Sequence, residues 1–182
     1  MAIKKAVRKV AAKVRKISPA DVRKVRDAIE QGRRQGKHEH FEALTDEDIR
    51  KKLGRVNTPF FNFFAWSNAP PGGSFALNAG VFNPDPVTVG SMYAHVYIGP
   101  GLAVPDNGIG LLNVDARFNR LTEPQFFGLS LAPSASATLS FTVSVPAGME
   151  RSNYFGNVVL IRRKGFDVSD VFDRGSFVFR VT

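Results

Sequence analysis

Apolar residues recur with a helical period before residue 57 and with a period of two after it. In the first stretch the branched residues Ile3, Val7, Val10, Val14 and Ile17 alternate steps of four and three, which predicts a narrow helical seam. Ser18 and Pro19 then fit an N-cap followed by proline at the first helical position, with Asp21 three residues after the cap as in a capping box. A second helix is predicted from there, with Val22, Val25 and Ile29 on one side and an end near Gly32; Arg33, Arg34, Gly36 and Lys37 read as a basic linker. Thr45 marks a third, short helix. Asp46, Glu47 and Asp48 fill its first turn and Arg50, Lys51 and Lys52 precede Gly54, an order that suits the helix dipole, while Ile49 and Leu53 form its apolar face.

From residue 137 to 145 the apolar Ala137, Leu139, Phe141, Val143 and Val145 alternate with Thr138, Ser140, Thr142 and Ser144. That pattern is a strand with one face on a core and a hydroxyl face to water. Further strands are predicted at 60–66, 74–82, 91–98, 111–118, 126–131, 154–162 and 176–181, separated by turn residues such as Pro70-Pro71-Gly72-Gly73 and Asn83-Pro84. The predicted fold is mainly β: an antiparallel sandwich of seven or eight strands over residues 57–182, preceded by two or three short basic helices over residues 1–56.

The order Asn83-Pro84, a strand ending Tyr97-Ile98, then Val145-Pro146-Ala147-Gly148 and Asn153-Tyr154-Phe155-Gly156-Asn157-Val158 resembles an immunoglobulin-like β-sandwich. The resemblance is to the bacterial and archaeal cell-adhesion-related (CARDB) or NEW3 type, over residues 57–182. It implies that fold and no activity, because such sandwiches host adhesion, carbohydrate-associated, filament and virion proteins alike. Proteins of that family are usually exported and multidomain, whereas this chain carries a basic helical extension. Tyr154 fits a tyrosine corner, with its ring in the core and its hydroxyl on a nearby backbone group.

Charge follows the same division as periodicity. Residues 1–56 hold 17 Lys and Arg against 8 Asp and Glu, an excess of +9; residues 57–182 hold 8 of each. Cysteine is absent, which excludes a disulfide framework, a thiolate metal site and a cysteine nucleophile. Basic residues recur from Lys4 to Lys16 with no more than three residues between them, leaving no apolar stretch for a signal peptide, and no apolar run reaches the roughly 20 residues of a membrane span. The expectation is a soluble protein, in a virion or the cytoplasm.

The first helix carries Lys4, Lys5, Arg8, Lys9, Lys13, Arg15 and Lys16 around its seam, with no acid before Asp21. One reading is a solvated, frayed tail. The other is an anion-binding arm, joined by Arg33 and Arg34, in which residues 1–37 meet nucleic acid or an acidic protein surface. Acidic lipid fits less well, since the seam holds only Val, Ile and Ala. In the strand at 60–66, alternation groups Phe60, Phe64 and Trp66 on one side and Phe61, Phe63 and Ala65 on the other. Two apolar faces require a second cover, either the N-terminal helices or another subunit, so Phe60, Phe64 and Trp66 are candidate subunit contacts.

No constellation points to catalysis, a metal or a cofactor. His38-Glu39-His40 lacks third and fourth ligands, and His95 shares a strand face with Tyr93 and Tyr97. Asp167, Asp170 and Asp173 recur in a presumed loop at 165–175, but their spacing is not that of an EF-hand. The favoured reading is a non-enzymatic structural or assembly protein, virion-associated or coat-like, that forms a homo-oligomer or larger assembly and contacts nucleic acid or an acidic partner through its basic arm. The alternative is a soluble module binding a ligand, glycan or protein through loops such as 99–110 and 165–175, docked to a complex by its basic helices.

Overall fold

The computed structural model describes residues 16–55, 57–99, 129–164 and 167–182. The seam before Lys16 and the strand expected at 111–118 lie outside them. Helix α1, Pro19–Arg34, begins with the expected capping box: the Asp21 N–H donates to Ser18 Oγ at 3.2 Å and the Asp21 carboxylate accepts from the Ser18 N–H at 3.1 Å. Two of the donors left open by a helix start are thereby satisfied. Gly32 does not end the helix. Arg33 and Arg34 form its last turn rather than a linker, and Gly32 is buried against the aromatic ring of Phe63, where an added Cβ would lie 2.1 Å from Cζ.

Strand β1, His40–Ala43, lies between the two helices where no element was predicted. Its four residues alternate exposed and half-buried, a run too short for periodicity to register. Helix α2, Asp46–Arg55, is capped by Thr45, whose Oγ1 accepts from the Asp48 N–H at 3.2 Å and donates to the Asp48 carboxylate at 2.7 Å. The other strands are β2 (Phe60–Trp66), β3 (Ser74–Phe82), β4 (Val89–Gly99), β5 (Leu129–Leu131), β6 (Ser136–Ser144), β7 (Asn153–Lys164) and β8 (Asp167–Arg180). Residues 167–175 are therefore strand, not the loop that their aspartates and glycine indicated: they pair with β7 from Lys164↔Asp167 onward.

The strands form two four-stranded antiparallel sheets, ordered β1-β2-β3-β6 and β5-β4-β7-β8. The chain crosses between sheets after β3, β5 and β6, giving the expected mainly-β, immunoglobulin-like sandwich. The compositional break near residue 56 falls between α2 and β2, yet β1, from ahead of it, is hydrogen-bonded to β2.

Two cores result. Between the sheets pack Trp66, Phe75, Leu77, Phe141, Val158, Leu160, Phe177, Phe179 and their neighbours. A second core lies outside the first sheet, where Val22, Val25, Ala28 and Ile29 of α1 and Ile49 and Leu53 of α2 cover Phe60, Phe63, Ala65 and Phe82. Each fully buried side chain of this size contributes about 1.5–3 kcal/mol, so the helical layer belongs to the fold. Every residue of β2 is buried as a consequence.

A bulge in β2 decides which aromatic faces which core. Phe61 pairs with Val81 and Phe63 with Gly80, leaving Asn62 as an extra residue. The insertion flips the alternation: Phe61, Phe64 and Trp66 face the sandwich core, while Phe60, Phe63 and Ala65 face the helices. The grouping read from strict alternation is corrected accordingly. The tyrosine corner forms, with the buried Tyr154 donating its hydroxyl to the Glu150 carbonyl at 2.8 Å.

Candidate functional site

Of the basic residues singled out in the sequence, Lys4, Lys5, Arg8, Lys9, Lys13 and Arg15 lie outside the described residues. Lys16 and Arg34 are exposed and have no ion pair among the described residues. Arg33 is committed elsewhere. It pairs with Glu30 at 3.5 Å, and its guanidinium lies 4.5 Å from the centroid of the Phe41 ring, which stacks on Phe63. Arg23, Lys37, Arg50 and Arg55 join Lys16 and Arg34 as exposed cations with no ion pair among the described residues, while Arg26, Lys51 and Lys52 are held by Asp46, Glu47 and Asp173. Arg23 and Arg34 are eleven residues apart, close to three turns, so they share the solvent side of α1. A groove of about 610 Å³ between α1 and the corner joining β1 to α2 is lined by Arg23, Arg26 and Arg33 but also by Asp27, Glu30 and Asp46. Its charges cancel, so it does not select an anion.

The proposed subunit contacts are spent inside the chain. Phe60 is 1% exposed under the helices, and Phe64 and Trp66, 8% and 1% exposed, fill the sandwich core. Trp66 Nε1 donates to the Val178 carbonyl at 2.9 Å across the sandwich, and its ring stacks on His40. The cover that β2 needs is supplied by α1 and α2.

His38, Glu39 and His40 fasten the start of β1. His38 Nε2 is 3.0 Å from Asn78 Nδ2, and Glu39 accepts from the Asn68 N–H and side-chain amide at 3.1 and 2.8 Å. Asp170 pairs with Arg162, and Asp173 accepts from Lys52 and from the Phe61 N–H at 2.8 Å, tying α2, β2 and β8 together. Among the described residues no three His, Asp or Glu side chains are grouped to hold a metal. No described helix is long and apolar enough to cross a membrane. The Thr45 hydroxyl bond holds the Asp48 carboxyl below its ordinary value.

Asn62 is a feature that charge and motif reading passed over. It is 1% exposed, and neither its Oδ1 nor its Nδ2 has a hydrogen-bond partner. Oδ1 lies over Gly80, where an added Cβ would be 2.2 Å away. Asn62 lines a crevice of about 60 Å³ between α1 and β6, together with Ala28, Gln31, Gly32, Gln35, Phe63, Ser136, Ala137 and Thr138. Its one signal in the sequence is a lone amide within the aromatic run Phe60-Phe61-Asn62-Phe63-Phe64.

No family model and no curated protein matches the chain. In structure it is similar to the C-terminal domain of wzt, with 8% identity, a TM-score of 0.49, and coverage of 79% of this chain and 77% of that one. It is also similar to the CARDB domain of PF1109 from Pyrococcus furiosus, solved in complex with di-metal ions, with 14% identity, a TM-score of 0.43, and coverage of 72% and 97%. Both scores fall below 0.5, and the fold assignment rests on the strand topology described above.

Proposed function

We propose that the protein is a non-enzymatic binding module that docks onto an anionic partner, nucleic acid before others, through the solvent side of its helical layer and the basic segment that precedes it. The observation that supports this is the division of labour in the helices. Their apolar residues are consumed in covering β2, while Lys16, Arg23, Arg34, Lys37, Arg50 and Arg55 stand exposed with no ion pair among the described residues. Phosphate neutralisation with counterion release would supply the affinity. In its finer form the reading is that of an assembly protein, virion-associated or coat-like, whose sandwich builds a shell over packaged nucleic acid. Subunit contacts in such an assembly would use surfaces other than Phe60, Phe64 and Trp66.

Fluorescence anisotropy with labelled DNA and RNA at increasing NaCl tests the reading. A steep fall of affinity with salt is the expected result, with a shallower slope for the triple variant Arg23→Glu, Arg34→Glu, Lys37→Glu. Absence of binding at low salt, or a slope indifferent to these changes, contradicts it. Light scattering with and without nucleic acid tests the assembly form, which fails if the protein stays monomeric in both.

A further inference from the structure

We infer that the crevice under the C-terminal half of α1 is a binding site for a neutral, hydroxyl-bearing ligand, a saccharide, one hydroxyl group of which enters to satisfy Asn62. A buried carboxamide with both polar ends unpartnered is rare and costly, and calls for an occupant. The bulge that makes Asn62 the extra residue takes its side chain out of the aromatic alternation and over Gly80.

The lining defines the ligand's chemistry. A carboxamide presents two donors and an acceptor, Ser136 and Thr138 each present a hydroxyl, and Gln31 and Gln35 add amides at the rim. Groups of this kind complement a partner that donates and accepts at once. No ionisable side chain lines the crevice, so a carboxylate, phosphate or ammonium would enter without a counter-charge. The Phe63 ring offers an apolar wall for C–H groups. A volume of about 60 Å³ admits a hydroxymethyl-sized group and not a sugar ring, by comparison with the ~30 Å³ that one water occupies in the liquid.

The rest of such a ligand has a surface to lie on. From the crevice β6 runs outward with Ser140, Thr142 and Ser144 exposed on the same face as Ser136 and Thr138, beside the exposed Ser74 and Ala76 of β3. At about 3.4 Å per residue this row extends for roughly 25 Å, the span of several sugar units. Its small side chains leave β6 open to an extended, hydroxyl-rich chain, flanked at Ser140 by His38, which is hydrogen-bonded to Asn78 of β3.

The site is separate from the proposed anionic docking, and the two are tested apart. Neutral hexasaccharides of glucose, mannose and N-acetylglucosamine, with polygalacturonate as an anionic control, are titrated into the full chain by saturation-transfer NMR and calorimetry at 150 mM NaCl. At least one neutral oligosaccharide is expected to bind, and to stay bound in the presence of the acidic polymer, which the exposed cations can take up without entering a crevice that has no counter-charge. Asn62→Leu and the near-isosteric Thr138→Val should each weaken that binding tenfold or more, while buried Trp66 fluorescence reports an intact fold. The triple Arg23→Glu, Arg34→Glu, Lys37→Glu variant should bind the sugar as before. Failure of every neutral oligosaccharide to bind at 10 mM, or unchanged affinity in both crevice variants, overturns the inference. A crystal grown with saturating sugar in which the crevice holds water alone does so too.

Discussion

The two faces of β2 are held by different means. On the inner face, packing is combined with directed polar contacts that cross the sandwich: Trp66 donates to the Val178 carbonyl, and Asp173 accepts the Phe61 N–H. On the outer face, α1 and α2 press Val, Ile and Leu side chains onto Phe60 and Phe63, and the polar group buried in this layer, Asn62, has no partner. Fit of shape therefore carries the helical layer, with Lys52 and Asp173 as its charged tie to the second sheet. The lesson is that α1 and α2 are not a tail attached to a finished domain. They complete a sheet that would otherwise leave Phe60, Phe63 and Phe82 in water, and that packing fixes where the helices carrying Arg23, Arg34, Arg50 and Arg55 lie.

The largest blow to the outer face should be Phe63→Ala, which empties the centre of that layer. A loss of about 4 kcal/mol is expected in urea unfolding, and a loss under a third of that would mean that the layer is loosely packed. Gly32→Ala comes next, at about 3 kcal/mol, because the new methyl collides with the Phe63 ring, which Gly80 confines from the other side. Unchanged stability in that variant would show that the ring has room to move. Asp173→Ala removes the acceptor of a backbone N–H and the partner of a part-buried lysine, for about 2 kcal/mol. Its effect should appear in both layers at once, since Asp173 touches each.

The smallest effect is at α2. The Asp48 carboxyl is held below its ordinary 3.8, so its contribution is present above that value and is lost as pH falls through the lower, folded one. Thr45→Ala should therefore cost most near neutrality and progressively less below about pH 3.8 in thermal melts. A cost independent of pH would leave the hydroxyl–carboxylate bond without a role.

Much of this was legible in the sequence, and the exceptions have physical causes. The capping box at Ser18 and the alternation of β6 are local codes, and local codes are readable residue by residue. Gly32 was misread because a glycine that makes room for a distant ring looks, in sequence, like one that ends a helix. The facing of Phe60, Phe64 and Trp66 was misassigned because a single inserted residue, Asn62, inverts everything on one side of it. Strand β1 was missed because His40-Phe41-Glu42-Ala43 is a strand only by virtue of β2 beside it. Of the candidate site, the surplus of cations was plain. The crevice was not, since it unites α1, β2 and β6 from distant parts of the chain.

Trp66 sits on the inner face of β2 and is the chain's sole tryptophan, whereas the helices lie on the outer face. Equilibrium urea unfolding followed by Trp66 fluorescence and by helical circular dichroism at 222 nm thus reads the two sides of one strand. If the helical layer is part of the fold, the two transitions coincide with a single midpoint. Helical signal lost at lower urea, with Trp66 still buried, would contradict that account.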